Sequence, residues 1–457
     1  MILAIDCGST NHKVALFDEN LARRADCSIP VSYTARETNC VEFDAEKIWQ
    51  DTLMMIRQAC VAGDIEPAQI STIALASQAQ TFSVLDTNGR PMMPFISWAD
   101  KRAVSESDEL SRLLGSEFHR HCSFPSPLPQ LELSKLLWLR RHHSAWLKPD
   151  SKIVSLPGFL AWRFGGLHIT DNNLAAMGGL YSCAEKGWWR SALEVCGLRP
   201  AHLGELVPIA QAVPVRRVCP QLELSPKVRV VFAGNDQTAG AYANGNKNGQ
   251  LILTLGTALV VYRYAGEVAG PYRPASCWGP YPDGGFYELV TRDEGCAALD
   301  WAVGKLMPND EAGFMKSAES AAPGVALFYP QHMQTEAAWL GPDNLGARTR
   351  AVLEGICFNA RELLEEDLEP EPGNGPMVII GGGSKSDFWL DMLTNVLNRA
   401  VRRGEGDILL GAAMMARPGI KPPAQVSEVV RTPDPDTAAQ YEKVFRAWHN
   451  RTPLNRS

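Results

Sequence analysis

The sequence predicts an α/β protein made of two similar lobes. Apolar, strand-like segments alternate along the chain with segments whose apolar residues recur at helical spacing. In addition, the run 2–5 leads into the loop Asp6–Thr10 (DCGST) in the same layout in which the run 251–254 leads into the loop Leu255–Thr257 (LGT). A layout that occurs twice, far apart in one chain, indicates two related halves.

The elements of the first half follow from local patterns. The opening strand continues through a tight hairpin into a second strand over Lys13–Asp18. A helix over Ala45–Cys60 has its apolar residues at helical spacing behind an Asp44 cap. The patterns further predict strands over Ile73–Ser77 and Phe82–Asp86, a proline-broken loop over Cys122–Gln130 and a helix over Leu131–Arg141.

The second half is expected to begin near Val228–Phe232, where a strand leads into the turn Gly234–Asp236. The predicted domains are an N-terminal lobe over 1–230, a C-terminal lobe over 231–425 and a C-terminal helical tail over 426–457. Helices beyond the boundary are predicted over Arg348–Leu364, Phe388–Arg399 and Thr437–His449, because each carries an apolar stripe.

Composition narrows the class of protein. The chain has 457 residues, of which 45% are hydrophobic, as expected of an ordinary globular protein with two domains. No run of roughly 18 apolar residues is present, which argues against a membrane role. The N-terminus enters a strand without the pattern of a secretion signal, so we predict a cytoplasmic protein.

Charge and cysteine usage argue against further classes of protein. The formal net charge is −7 and no long basic block occurs, which disfavours nucleic-acid binding, although a local patch at Arg399–Arg403 stays open. The eleven cysteines are scattered without a CxxC pair, which argues against a disulfide framework and a zinc site. A small-molecule substrate is therefore the better expectation.

Three loops rich in glycine and hydroxyl groups each follow an apolar run: 6–10, 255–257 and Gly381–Ser386 (GGGSKS). A strand that ends in Gly with Ser or Thr presents N–H and hydroxyl groups at its carboxyl end, where phosphate oxygens need donors. Each loop alone is also typical of an ordinary turn. In combination they predict a divided cradle for the phosphates of a nucleotide.

A series of motifs resembles the FGGY family of carbohydrate kinases, in the family's order and over nearly the whole chain. The motifs are DCGSTNHK (6–13), SQAQTFSVLD (77–86), ISWADKRA (96–103), KLLWLRRHHSAW (135–146), HITDNNLAAMGGLYS (168–182), GNDQTAGA (234–241), LGTALVV (255–261), RAVLEGICFNAR (350–361), GGGSKSDFW (381–389) and LLGAAMMA (409–416).

The resemblance implies two actin-like lobes of the ribonuclease H type, with an ATP and sugar cleft between them. It also implies ATP-dependent phosphorylation of a sugar or polyol hydroxyl, with a ketose such as a pentulose favoured, and Mg²⁺ as the metal. The alternative is a nucleotide- and sugar-binding regulator of the same fold with little or no turnover. An actin-like or chaperone-like ATPase fits less well, and a P-loop kinase is excluded because no GxxxxGK[ST] motif occurs. Neither nucleic acid nor membrane is an expected partner, and a homodimer is left open.

The resemblance assigns the catalytic base to Asp236, in GNDQTAGA. Taken alone, this aspartate would also fit a helix cap. Most relatives have His immediately before the aspartate, whereas this chain has Asn235. Asp6 is assigned to Mg²⁺, since magnesium in phosphoryl-transfer sites commonly uses one or two carboxylates.

The ATP contacts implied by the resemblance come from both lobes. Some of these residues also fit a purely structural role, as members of simple turns, as a solvated Lys13, or as part of a core helix anchored by Trp301. The predicted contacts are Ser9, Thr10, Asn11 and Lys13 in the first lobe and Gly256, Thr257, Gly295, Asp300, Gly382, Gly383 and Asp387 in the second.

The sugar is expected to contact Gln78, Gln80, Trp98, Asp100, Arg102 and the base Asp236. Asp100 and Arg102 fit a structural ion pair as well. Gln78 and Gln80 flank Ala79 where pentulose kinases of the xylulokinase type usually carry a Met-His pair after glutamine, a departure that argues against D-xylulose itself.

Overall fold

The computed structural model describes residues 1–37, 39–245, 250–270, 272–335, 338–368, 375–421 and 429–450. Contacts between residues divide the chain into two compact units. The first comprises Met1–Gly245, Ala265–Tyr287 and Gly406–Ala424, and the second comprises Asn246–Tyr264, Glu288–Glu405 and Gln425–Ser457.

The strands, labelled in chain order, are β1 (Ile2–Cys7), β2 (Asn11–Phe17), β3 (Arg23–Pro30), β4 (Ala35–Arg36), β5 (Val41–Phe43), β6 (Thr72–Ser77), β7 (Phe82–Leu85), β8 (Phe95–Ile96), β9 (Lys152–Ser155), β10 (Ile169–Asp171), β11 (Tyr181–Ser182), β12 (Gly187–Trp188), β13 (Glu205–Val207), β14 (Ala212–Pro214), β15 (Arg229–Asn235), β16 (Leu251–Leu255), β17 (Leu259–Gly266), β18 (Cys277–Pro280), β19 (Phe286–Arg292), β20 (Leu327–Phe328), β21 (Trp339–Leu340), β22 (Met377–Ile380), β23 (Val401–Arg403) and β24 (Val430–Arg431).

The α-helices are α1 (Ala45–Gly63), α2 (Val104–Leu114), α3 (Glu117–His121), α4 (Glu132–His142), α5 (Leu156–Gly165), α6 (Asn172–Met177), α7 (Arg190–Cys196), α8 (Pro200–Leu203), α9 (Asp236–Ala243), α10 (Cys296–Leu306), α11 (Glu311–Ser320), α12 (Leu345–Glu362), α13 (Asp387–Leu397), α14 (Ile408–Met415) and α15 (Pro435–His449). Short 3₁₀ turns occur at Pro67–Gln69, Ser144–Trp146, Pro330–His332 and Gly382–Lys385, and a π turn follows α12 at Leu363–Leu368. None of the described helices combines the length and the apolar character that crossing a bilayer requires.

The main sheet of the first unit has the strand order β14-β15-β6-β1-β2-β3. Strands β15, β6 and β1 run parallel, and Asn235, Ser77 and Cys7 lie in register at their carboxyl ends. Hydrogen bonding between parallel strands therefore brings three loops, distant in sequence, to one edge of the sheet.

Helix α1 covers one face of this sheet. It begins behind Asp44, whose side chain accepts a hydrogen bond from the Lys47 N–H, so the predicted cap is confirmed. Trp49 and Ile56 of α1 pack with Ile5 of β1 in one buried apolar cluster. Burial of such side chains stabilises the unit by about 1.5–3 kcal/mol each.

Helices α9 and α14 meet in a second apolar cluster of the first unit, which also holds Ala4 of β1. The helices touch at Gly411, where a Cβ would lie only 1.8 Å from the Ala239 carbonyl oxygen. The Asn244 side chain, just after α9, donates at 2.8 Å to the carbonyl oxygen of Gly406, which lies just before α14. The segment that carries α14 thus holds α9 in place.

In the second unit, β17, β16, β22, β23 and β24 lie in that order in one sheet, with β16, β22 and β23 parallel. Its core gathers Ile356 of α12, Trp389 of α13 and Trp448 of α15 against Leu253 of β16. The segment predicted as a helical tail therefore contributes α15 to this core.

The local predictions agree with these elements. The helices predicted over 45–60, 131–141, 348–364, 388–399 and 437–449 correspond to α1, α4, α12, α13 and α15, and the predicted hairpin is β1–β2. The predicted boundary at residue 230 does not coincide with the division into units, because β15 pairs with β6 inside the first unit and α9 follows directly.

Candidate active site

The carboxyl ends of β1, β6 and β15 bring together the predicted residues of the first unit. The loop after β1 starts from Asp6, Gln78 follows β6, and Asp236 follows β15. Ligands of open α/β sheets bind outside the carboxyl ends of the parallel strands, which makes this edge the candidate site.

The loop between β1 and β2 is tight. A Cβ on Gly8 would lie 2.7 Å from the Asn11 carbonyl oxygen, so the close turn requires glycine. Gln78 donates its N–H to the Cys7 carbonyl oxygen at 3.1 Å and its Nε2 to the Gly8 carbonyl oxygen at 3.3 Å. Ser9 and Asn11 are half-buried. The loop is thus held by the neighbouring strand end.

Asp6 is a buried carboxylate at the end of β1, paired in register with Lys13. Its Oδ2 lies 3.9 Å from Lys13 Nζ, and its Oδ1 has no hydrogen-bond partner in the described part of the chain. Burial, and then the carboxylate of Asp236, raise the pKa of Asp6 to about 7. An unpartnered buried carboxylate oxygen beside another carboxylate suits a hard cation, so these residues fit Mg²⁺.

Asp236 is the first residue of α9. Asn235 caps this helix by accepting the Thr238 N–H at 2.9 Å, and Asp236 Oδ1 accepts the Gln237 N–H at 2.8 Å. Burial raises the pKa of Asp236 to about 6. A carboxyl with this pKa is ionised at neutral pH yet can take up a proton, as a general base must.

Gln78 and Gln80 line a small cavity of about 20 Å³ in the first unit, which has room for a single water molecule or hydroxyl group. Polar groups of Thr81, Glu132 and Thr170 share its wall with apolar residues such as Leu174 and Trp188. The Oε1 of Gln78 is buried and has no hydrogen-bond partner among the described residues. The cavity can therefore receive a hydroxyl donor.

Trp98, Asp100 and Arg102, which are also predicted sugar contacts, do not line this cavity. Arg102 forms an ion pair with the buried Asp100 and a second with Glu42, and its guanidinium lies 5.0 Å from the ring centre of Trp138. Trp98 is 43% exposed, and its backbone N–H donates to Oγ1 of Thr81, a residue of the cavity wall, at 3.0 Å. The ion-pair alternative is therefore the arrangement observed for Asp100 and Arg102.

In the second unit, the turn after β16 contains Gly256 and Thr257 and is covered by the start of α10. Gly295 approaches so closely that a Cβ would lie 2.6 Å from the Gly256 carbonyl oxygen. The N–H groups of Cys296 and Ala297 donate to the carbonyl oxygens of Gly256 and Thr257. The predicted ATP contacts Gly256, Thr257 and Gly295 are therefore neighbours in the second unit.

Asp300 lies on the same helix, α10, and its side chain is exposed. One position further, Trp301 stacks on Trp339 with ring centres 5.2 Å apart. This packing anchors α10 in the second unit, as the alternative reading of this segment expected.

The glycine loop after β22 runs beside the β16 turn. Gly381 has φ +94°, and a Cβ there would lie 2.6 Å from the Leu255 carbonyl oxygen. Gly382 is exposed, whereas Gly383 packs against Trp389. Asp387, predicted to contact the nucleotide, forms ion pairs with Arg403 and Arg431.

Two residues without a predicted role organise the first-unit site. Lys135 of α4 is buried and donates from Nζ to the carbonyl oxygens of Gln80 at 2.7 Å and Ser97 at 2.8 Å. Burial lowers its pKa to about 7. Asn173 of α6 bonds to Asn235. The position of Lys135 in an apolar segment of a predicted helix could have indicated a buried lysine. No local pattern of the sequence indicated the role of Asn173.

Comparisons with known proteins agree with this architecture. Residues 1–243 match the model of the FGGY family of carbohydrate kinases, N-terminal domain. Residues 318–417 match the model of the C-terminal domain of the same family.

Individual relatives point the same way. Gluconokinase of Bacillus subtilis (strain 168) is 24% identical over 437 residues, covering 88% of this chain and 83% of that protein. The ligand-bound xylulose kinase from Lactobacillus acidophilus has a TM-score of 0.86 at 20% identity, covering 98% of this chain and 97% of that chain. Plasmodium falciparum glycerol kinase with ADP also has a TM-score of 0.86, at 17% identity, covering 99% of this chain and 98% of that chain.

These structural similarities confirm the predicted α/β class with two actin-like lobes. The two family models together place both halves of the chain in one group of enzymes, which use ATP and act on small carbohydrates. The chain therefore belongs to the FGGY family of carbohydrate kinases.

Proposed function

We propose that this protein transfers the γ-phosphoryl group of ATP to a hydroxyl of a sugar or polyol, with Asp236 as the general base. The observation that carries the proposal is the convergence of Asp236, Asp6 and Gln78 at one edge of three parallel strands. A base, a cation ligand and a polar substrate contact are the parts that phosphoryl transfer to an alcohol requires.

Asp236 performs the proton transfer in this proposal. Its carboxylate accepts the proton of the substrate hydroxyl as the hydroxyl oxygen attacks phosphorus, a step that contributes about 10²- to 10⁴-fold in rate. The hydrogen bond from the Gln237 N–H to Oδ1 orients the carboxylate and leaves Oδ2 for the substrate.

Asp6 is the proposed Mg²⁺ ligand, because its Oδ1 is buried and unpartnered within the described residues. When bound, magnesium would neutralise charge on the phosphate oxygens. Ser9, Thr10 and Asn11 would donate to phosphate from the same loop, and Lys13 would add positive charge. In the second unit, we propose Gly256 and Thr257 as phosphate contacts and Gly295, Asp300, Gly382, Gly383 and Asp387 as the region that contacts the rest of the nucleotide.

The favoured substrate is a neutral ketose such as a pentulose. Gln78 and Gln80 offer amide groups to the hydroxyls of such a substrate, and the small cavity beside them can admit a single hydroxyl group. Trp98, Asp100 and Arg102 remain proposed contacts at the border of the site. A homodimer and a cytoplasmic location stay predictions.

The experiment is ADP release from Mg-ATP over a panel of pentuloses, hexuloses, aldoses, pentitols, glycerol and gluconate. Asp236→Asn is measured beside the native protein, and Asp108→Asn, at an exposed position of α2, serves as the matched control. One neutral sugar should give turnover that Asp236→Asn loses and Asp108→Asn keeps. If ATP and a sugar bind but no sugar raises ADP release, the kinase proposal fails and a regulator of the same fold takes its place.

A further inference from the structure

Asn173 joins helix α6 to the turn that carries Asp236. Its side chain is fully buried, and its Oδ1 accepts two hydrogen bonds from Asn235, one from the backbone N–H at 2.9 Å and one from Nδ2 at 2.8 Å. Its Nδ2 donates to Thr238 Oγ1 at 3.1 Å and to the Pro280 carbonyl oxygen at 2.7 Å. One amide thus holds both sides of Asp236.

The backbone before Asp236 is shaped to admit this amide. Gly234 has φ +70°, and a Cβ at that position would lie 2.5 Å from Asn173 Oδ1. Only glycine adopts this conformation without strain and also leaves room for the asparagine. The close approach is therefore part of how the turn is built.

Asn235 completes the arrangement. While its two nitrogens donate to Asn173, its Oδ1 accepts the Thr238 N–H and caps α9. The amide of Asn235 can do both because it carries a donor and an acceptor, and Asn173 carries the complementary pair. A buried network in which the donors and acceptors are hydrogen-bonded to one another holds its residues in one conformation.

We infer that Asn173 is a positioning residue for Asp236: its side chain fixes the turn at 234–235 and the first turn of α9, and so sets the direction of the carboxylate. The inference rests on the proposed function, in which Asp236 is the base. It also explains how a chain with Asn at 235 keeps the aspartate in place. The partner at 173 is an amide that meets both nitrogens of Asn235.

The test compares Asn173→Ala with Asn172→Ala. Asn172 is the preceding residue of α6, and its Oδ1 accepts one backbone N–H, from Ile209. Asn173→Ala should lower kcat by about 10- to 10²-fold, because a small misplacement of a reacting group has effects of that size. KM for ATP should stay within about twofold, since no proposed ATP contact is touched. Asn172→Ala should keep the kcat of the native enzyme.

Hydrogen exchange of the peptide 229–243 provides a second readout that needs no turnover. Asn173→Ala should expose the amides of Asn235 and Thr238 to exchange, and Asn172→Ala should not. Unchanged protection in Asn173→Ala overturns the inference whether or not the enzyme is active. A native kcat in Asn173→Ala overturns it while leaving the proposed kinase function intact. Failure of the kinase proposal would show instead as absence of turnover in the native protein.

Discussion

Arg102 donates two parallel hydrogen bonds to the buried carboxylate of Asp100, from Nε to Oδ1 at 2.9 Å and from Nη2 to Oδ2 at 2.7 Å. Asp100 is fully buried and also accepts the backbone N–H of Val41 at 2.8 Å. The pair therefore connects the segment after β8 to the start of β5. A bidentate arginine in this position acts first on stability.

Arg102→Met should destabilise the protein by about 3–5 kcal/mol, because it leaves the Asp100 charge buried without its partner. Arg190→Met is the control, since its pair with Glu194 lies at the surface and is expected to contribute below about 1 kcal/mol. Urea unfolding of both variants measures the difference. A normal unfolding midpoint with a large rise in sugar KM would instead make Arg102 a substrate contact.

The pH dependence of kcat/KM should report Asp236. Burial raises the pKa of this carboxyl to about 6, so it becomes protonated, and inactive as a base, at a higher pH than an ordinary aspartate. We expect kcat/KM to fall as the pH drops through about 6, with ATP and sugar held below their KM values. A rate profile that stays flat down to pH 4.5 would contradict the assignment of the base.

Asp236→Asn should stabilise the protein at neutral pH while removing activity. The folded-state pKa of Asp236 is raised from 3.8 to about 6. Ionisation of this carboxyl therefore lowers the free energy of unfolding, fully at pH values above about 6, and the effect disappears below about pH 4. We expect a gain of about 1–3 kcal/mol at pH 7.5 and no gain at pH 4. Denaturant unfolding at the two pH values checks this, with Asp108→Asn as the control.

Gly295→Ala should impair the use of ATP. The added Cβ would lie 2.6 Å from the Gly256 carbonyl oxygen, so the turn at 256–257 must shift. The KM for ATP should rise about tenfold, with little change in the KM for the sugar. Gly304→Ala lies on the same helix α10 in open space and should raise stability by up to about 1 kcal/mol without changing either KM. Equal effects of the two variants on ATP would argue against a role of Gly295 at the nucleotide.

Local patterns were sufficient for several parts of the fold. Asp44 before an apolar helix predicted the start of α1, and the glycine loop after the first apolar run predicted the hairpin that holds Asp6. These features depend on residues that are neighbours in sequence, where capping and turn chemistry act.

Contacts between residues that are distant in sequence could not be predicted from local patterns. Asn173 lies 62 residues from Asn235 in sequence, and no local pattern connects a residue of α6 with the end of β15. The strand order β15-β6-β1 and the inclusion of 265–287 and 406–424 in the first unit also arise from pairing and packing at long range. The partner of Arg102 at Glu42 belongs to the same class of contact.

The contact between Gly411 and Ala239 has a consequence for biosynthesis. Helix α14 begins at Ile408 and leaves the ribosome long after α9, yet it packs on α9, whose first residue is Asp236. Because domains otherwise fold progressively from the N-terminus during translation, the first unit must wait until residues 408–415 have been synthesised before its proposed base is anchored. A nascent or prematurely terminated chain that ends before residue 406 would carry every strand of the main sheet of the first unit and still lack the helix that supports α9.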